Sequence, residues 1–348
     1  MNKIKTSKIR DRRVGDSYPV LISLEAGATH TGIESAKKLS KAAADGGAEA
    51  IKWQTVDADQ LMTDQKQMVS YTTIDGEERE ESIYEALKRR QLSRDEWYEL
   101  KNYCDELDLL FISTPDSTES IDLLVEIGAD ALKVSKSDIN HFYMVDYMAR
   151  TGKTIILDGR EKFSDVERCI QICESHGVED IIIMHCPSGY PATHSGINLS
   201  TITQIKNIFG YPAAYADHSV GEAMNYAAIA LGANMIEKTI TLDKGTDAVE
   251  HTMSIEPHEV PAFVEITRAV EEALGDPRII FNSRVSPDLR RSIFAKSDLP
   301  KGYKLTIKDL AFCRPGTFYS AQHYETMIGR EIKQSIKAGE PIMPNDLL

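Results

Sequence analysis

Two hydrophobic rhythms alternate along most of the chain. Short, nearly continuous apolar runs occur at PVLISLEAG (19–27), AEAIKWQ (48–54), LLFISTP (109–115), DALKVSK (130–136), TIILDG (154–159), DIIIMH (180–185), PAAYAD (212–217) and MIEKTIT (235–241). Runs this short, bounded by turn residues, read as strands buried on both faces. The segments SAKKLSKAAAD, STESIDLLVEI, FSDVERCIQICES and GEAMNYAAIA instead carry apolar residues at three-to-four spacing, the period of a helix with one buried face. An internal echo marks where the rhythms meet: GGAEAIKWQ (46–54), IGADALKVS (127–135), LGANMIEKT (231–239) and, more weakly, HGVEDIIIMH (176–185). Each places a glycine where a helix should stop and a strand just after it. Eight such strands within residues 19–241 predict a (β/α)8 barrel, for which ~250 residues is typical. An open doubly wound sheet fits less well, because no GxGxxG follows the first strand. HEVPAFVEITRAVEEALG (258–275) reads as the amphipathic helix that closes the barrel.

From about residue 283 the rhythm changes to short strands and turns such as PKG, RPG and KAGEP. The expected organisation is a barrel domain over 1–282, with 1–17 as an N-terminal extension, a linker over 276–288, and a small β-rich domain over 283–348. A module of that size needs docking to be very stable. Residues 68–91, between the second and third strands, form an insertion whose many charges read as a solvated helix face. Its Tyr71, Thr72 and Thr73 are the alternative candidates for contacting substrate hydroxyls.

Charge and cysteine content narrow the function. A net charge of −14 argues against nucleic-acid or anionic-membrane binding, so an anionic ligand must meet a local basic pocket. No apolar run is long enough to span a bilayer, and MNKIKTSKIRDRR lacks the apolar core of a secretory signal, so a cytoplasmic location is expected. The five cysteines lack metal-ligand spacing, and Cys169 and Cys173 read as helix packing residues.

Barrel chemistry gathers at the carboxyl ends of strands. There the sequence places Glu25, Lys52, Gln54, Lys133, Ser135, Lys136, Asp158, Arg160, Ser188, Tyr190, Asp217, His218, Glu237, Lys238 and Thr239. Lys52, Lys133 and Lys238 interrupt apolar strands, and an unpaired buried ammonium costs several kcal/mol. Their convergence points to an anionic ligand. Glu237 and Lys238 face opposite sides of one strand, so at most one enters the lumen and the other needs a partner in the helix layer. His218, after Asp217, is a candidate metal ligand or general base.

The ordered motifs LEAGATHTG, IKWQ, STPDS, LKVSKSDI, IILDG, IMHCPSGYP, YADHSVG and LGANMIEKTITLDKG, then VEHTMSIEP, resemble those of the sialic acid synthase family, which includes the legionaminic and pseudaminic acid synthases and the spore coat polysaccharide synthase E group. RRSIFAKSDLPKG, CRPGTF and IGREIKQSIKAGEP resemble that family's antifreeze-like (SAF) domain. The resemblance implies a cytoplasmic transferase of surface polysaccharide biosynthesis that condenses phosphoenolpyruvate with an N-acetylhexosamine-like sugar aldehyde to a nonulosonic acid and phosphate. It implies a divalent ion, manganese or magnesium, and a homodimer in which each SAF domain caps the partner's barrel. Carried over by motif, Glu25, Lys52, Lys133 and Tyr190 are catalytic. Gln54, Ser135, Lys136, Asp158, Arg160, Ser188, Asp217, Lys238, Glu250 and Arg314 bind substrate, and His218 binds metal.

Several positions depart from the family pattern. Lys136, Asp158 and Ala216 stand where serines are usual, Thr29 replaces an asparagine, Glu250 an aspartate, and Thr239 the second metal-binding histidine. Threonine is a poorer ligand than imidazole for manganese, so metal binding should weaken. Two other readings follow: an aldolase using Lys136 or Lys238 as a Schiff base, and a scaffold subunit that has lost its metal site.

Overall fold

The computed structural model describes residues 4–160, 162–275 and 285–348 and divides into two compact units, one running to Leu274 and one from Gly275. The expected boundary at 282/283 and much of the expected linker lie outside the described residues. In the first unit eight parallel strands close a barrel: β1 (Leu21–Glu25), β2 (Ala50–Thr55), β3 (Leu110–Pro115), β4 (Ala131–Val134), β5 (Thr154–Asp158), β6 (Ile181–His185), β7 (Ala213–Asp217) and β8 (Met235–Thr239). They pair in chain order, and β8 returns to β1 with Thr239 opposite Glu25. Seven fall within the apolar runs and β2 extends one residue past its run, to Thr55, and helices fill the intervals.

The glycine echo has a geometric cause. Gly47, Gly128, Gly177 and Gly232 all adopt left-handed backbone, with φ between 77° and 95°. At each one the next residue's N–H donates to the carbonyl five residues earlier: Ala48 to Ala43 (2.9 Å), Ala129 to Leu124 (2.9 Å), Val178 to Cys173 (3.0 Å) and Ala233 to Ala228 (3.0 Å). This is the Schellman closure, which satisfies the last helical carbonyls and turns the chain into the next strand. The repeat is four copies of one helix stop.

Side-chain parity then sorts the strands. Ile22, Leu24, Ile51, Trp53, Phe111, Leu132, Ile155 and Ile236 face the helices, and Cys169 and Cys173 pack in that same layer with their thiols pushed up to about 12 by burial. Leu21, Ala50, Leu110, Ala131, Ile156, Ile182, Ala214 and Met235 face the lumen. The N-terminal extension belongs to this second set. Ser7–Ile9 and Arg12–Val14 form an antiparallel hairpin whose fully buried Ile9 and Val14 join the lumen cluster. Ser7 Oγ donates to the Ile181 carbonyl (2.6 Å) and Thr154 Oγ1 to that of Lys8 (2.7 Å), so the hairpin plugs the amino end of the barrel.

The insertion is not the charged helix that its composition predicts. Met68–Thr72 pairs antiparallel with Glu78–Ser82, and only Ile83–Arg90 is helical. Gly76, at φ +83°, supplies the left-handed residue that the turn after Asp75 requires. The hairpin charges are solvated strand positions rather than a helix face.

In the second unit β9 (Ser292–Ala295) pairs antiparallel with β10 (Leu310–Cys313) over a separate core that includes Ile293, Leu299, Leu305, Ile332 and Ile342. Among the described residues, no helix is long and apolar enough to cross a membrane.

Candidate active site

Towards the carboxyl end of the strands the lumen changes from apolar to charged. Glu25 and Lys52, opposite one another on β1 and β2, form an ion pair with both side chains under a tenth exposed. Gln54 Nε2 donates to Glu25 Oε1 (3.4 Å). Lys133 Nζ donates to Glu237 Oε1 (3.2 Å), and Lys52 Nζ lies 3.9 Å from the same oxygen. Burial works against the Lys133 ammonium, but Glu237, assisted by Asp158 and Glu25, holds its pKa above the ordinary lysine range. Burial likewise disfavours the Glu237 carboxylate, yet Lys133 and Lys52 keep its pKa below the usual value. Two ammonium groups therefore share a desolvated chamber with two carboxylates, and the second oxygen of Glu237 has no hydrogen-bond partner.

A second cationic group stands at the ends of β4, β5 and β6. Lys136 Nζ donates to Ser188 Oγ (2.7 Å), and Arg160 donates to the carbonyls of Cys186 (3.5 Å) and Gly196 (3.3 Å). Asp158, almost fully buried, accepts from the Arg160 backbone N–H (3.0 Å). Its pKa is raised by burial, against the opposing pull of Lys133 and Lys136. Ser135 Oγ donates to the Asp138 carboxylate.

Across the lumen, the Tyr190 ring stacks on His218 at 5.3 Å between centroids. His218 Nδ1 is buried without a hydrogen-bond partner, and Nε2 lies 3.7 Å from Cys186 Sγ. Burial lowers the His218 pKa, which Glu250 only partly offsets. Glu250 follows β8 in left-handed backbone (φ 75°), and burial raises its pKa. Glu250 first, then burial, raises that of Tyr190.

Two expected substrate ligands are placed elsewhere. Lys238 and Asp217 face the helix layer, where the fully buried ammonium donates to Asp217 Oδ2 (2.9 Å) and to the carbonyls of Ser219 (2.6 Å) and Gly221 (2.7 Å). Asp217 also accepts from Tyr215, Ser219 and Asn225. Strand parity is the reason. Glu237 and Thr239 face the lumen, so Lys238 and its partner cannot, and Lys238 is withdrawn as a Schiff-base candidate. Their network fixes the turn carrying His218. Arg314 follows β10 on an exposed stretch of the second unit.

Sequence reasoning missed Arg90. Its buried guanidinium donates to the carbonyls of Ala28 (3.1 Å) and Ala86 (2.8 Å), and its charge acts on Glu250 and Tyr190. The signal was its position four residues after buried Ala86, on the apolar side of an otherwise charged helix.

The mouth does not fit a two-imidazole divalent centre. His218 offers one orphaned nitrogen, Thr239 a neutral hydroxyl, and Glu237 is already held by two ammonium groups. Among the described residues, the group of three donors within 4.8 Å of one another is Glu256, His258 and Glu259. This trio is a candidate divalent-ion site, and Lys244 pairs with its Glu259.

A closed (β/α)8 barrel with cations and carboxylates facing one another at its carboxyl end, followed by a small β unit, defines a barrel enzyme acting on an anionic substrate. The chain belongs to the NeuB family, a family of phosphoenolpyruvate-dependent synthases, whose model matches residues 39–278, and the SAF domain model matches residues 290–348. It is 35% identical to an uncharacterized protein of Methanocaldococcus jannaschii over 100% of this chain and 99% of that one. It is 30% identical to the N,N'-diacetyllegionaminic acid synthase of Legionella pneumophila, covering 94% and 95% of the two chains. The solved N-acetylneuraminic acid synthetase of Leptospira borgpetersenii, in complex with citrate, superposes with a TM-score of 0.71 at 27% identity, over 81% of this chain and 93% of that one.

Proposed function

We propose that the protein condenses phosphoenolpyruvate with the aldehyde of an open-chain acylamino sugar to give a nonulosonic acid. C3 of the enol adds to the aldehyde carbon, whose oxygen takes up a proton. Water adds to C2 with loss of a proton to give a tetrahedral carbon bearing hydroxyl and phosphate. The C2–O bond to the phosphate then breaks, leaving the C2 ketone and releasing inorganic phosphate with the bridging oxygen. The observation that carries this reading is the desolvated chamber of Lys52, Lys133, Glu25 and Glu237 beside Lys136 and Arg160. Two cationic groups match the two anionic ends of phosphoenolpyruvate, and low local dielectric strengthens both. Lys52 and Lys133 take the carboxylate. Lys136, Arg160 and Ser188 take the phosphate where the family pattern has serines. Glu25, with Gln54 against it, orients the water. Glu250, whose raised pKa favours the protonated form, supplies a proton to the aldehyde oxygen. Tyr190 stacks beside the acceptor, and a second copy of the chain contributes Arg314 from its SAF domain.

Inorganic phosphate release from phosphoenolpyruvate, followed across a panel of acylamino hexoses with each divalent ion and with none, tests the reading. Release with at least one acceptor, abolished by Lys133→Ala, is expected. No release with any acceptor overturns it. Mixing Arg314→Ala and Lys133→Ala chains tests the dimer, since recovery of activity in the mixture requires complementation between copies.

A further inference from the structure

The inserted hairpin and the loop after β6 enclose a cleft of about 430 Å³ that opens beside the mouth. Its lining includes Ser70, Thr72, Glu78, Tyr190, Thr193 and His194. Tyr190 is shared with the mouth, where its ring stacks on His218, and the Thr72 N–H donates to its carbonyl (3.1 Å). The cleft is held in shape from both sides. Tyr71 Oη donates to Asp247 (2.8 Å), Thr252 Oγ1 donates to the Thr72 carbonyl (2.9 Å), and the Val249 N–H donates to Glu81 (2.8 Å).

The polar lining of this cleft is unlike that of the chamber. The mouth's cations come from β2 and the ends of β4 and β5, whereas among the described residues no lysine or arginine lines the cleft. The hydroxyl-bearing Ser70, Tyr71, Thr72, Tyr190 and Thr193, the Glu78 carboxylate and the His194 imidazole line it instead, with Thr72 Oγ1 donating to Glu78 (2.8 Å). Nearby cations of the insertion are already engaged: Arg79 of the hairpin pairs with Glu77 and Asp247, and Arg89 of the following helix with Glu81. Such a surface hydrogen-bonds hydroxyl and acylamino groups and repels a dianion.

Resting on the condensation proposed above, we infer that this cleft holds the distal end of the acceptor and selects a sugar without a phosphate there. Glu78 is the residue that rejects the charge, and the hydroxyls of Ser70, Thr72 and Thr193 accept a neutral polyol tail.

The test compares a 2-acetamido hexose with its 6-phosphate in the phosphate-release assay and, in parallel, by calorimetric binding in the presence of phosphoenolpyruvate. The expected kcat/KM is at least tenfold higher for the phosphate-free sugar, and Glu78→Lys shrinks that ratio at least fivefold, with Glu78→Gln intermediate. Equal or better use of the 6-phosphate, or a ratio unmoved by Glu78→Lys in a protein of wild-type melting temperature, overturns the inference while the condensation stands. If neither sugar turns over, the condensation reading fails, and the binding arm alone decides: tighter binding of the phosphate-free sugar supports the cleft assignment, and equal or weaker binding overturns it.

Discussion

The two ends of one barrel are built from the same strands on opposite principles. At the amino end the lumen is filled by Leu21, Ala50, Leu110 and Met235 and stoppered by Ile9 and Val14. Further along the same lumen-facing parity, Glu25, Lys52, Lys133 and Glu237 replace them. The floor gains by excluding water, about 25 cal/mol per Å² of apolar surface. The mouth keeps charges desolvated, and it stays folded because each ammonium has a carboxylate. Stability and chemistry are thus separated by two positions along β2, β4 and β8 and by four along β1.

Breaking the mouth should have the largest effect. Glu237→Leu leaves Lys133 buried without its carboxylate, and a loss of about 3–5 kcal/mol is expected in urea unfolding. Lys133→Met added to it should restore much of that stability without restoring activity.

Acid separates the two ends without mutation. His30 and His251, both buried in loops at the carboxyl end, have pKa values lowered to about 4, mainly by burial. Because the fold favours their neutral forms, their contribution is complete above about pH 6.5 and is lost as pH falls through about 4. Each represents on the order of 3 kcal/mol. Hydrogen exchange between pH 7 and 4 should therefore show the loops after β1 and β8 losing protection before the N-terminal hairpin does.

A gain of function sharpens the contrast further. Thr239→His supplies the second imidazole that the mouth lacks, and manganese affinity at that end should rise at least about tenfold by calorimetry, or about 1.4 kcal/mol. The smallest effect belongs to the floor. Ile9→Val should cost about 0.5–1.5 kcal/mol in unfolding and leave kcat and KM at the wild-type values.

Much of the fold was legible because it rests on local chemistry. Strand runs, helical spacing and the Gly-based helix stops each depend on a few adjacent residues, and all eight strands lie where the pattern puts them. The hairpin lies inside residues 68–91, whose charge density alone reads as a solvated helix face; the feature that reverses the chain is the Asp75-Gly76 turn, which composition does not rank. Plugging of the floor by residues 7–14 was illegible: Ile9 and Val14 are isolated apolar positions in a basic segment until a barrel exists for them to fill.

The candidate site divides in the same way. Sequence gathered the charged strand ends, and it required that Glu237 and Lys238 part company. It could not find Asp217 as the partner of Lys238, nor bring Arg90 from the insertion to the neighbourhood of Glu250. What the sequence by itself determined is periodic: element type, helix stops, and the rule that neighbours on a strand face opposite ways. Only barrel closure decided which parity became the lumen, because that choice depends on the tilt and stagger of all eight strands together. It turned Glu237 towards Lys133 and committed Lys238 to the wall.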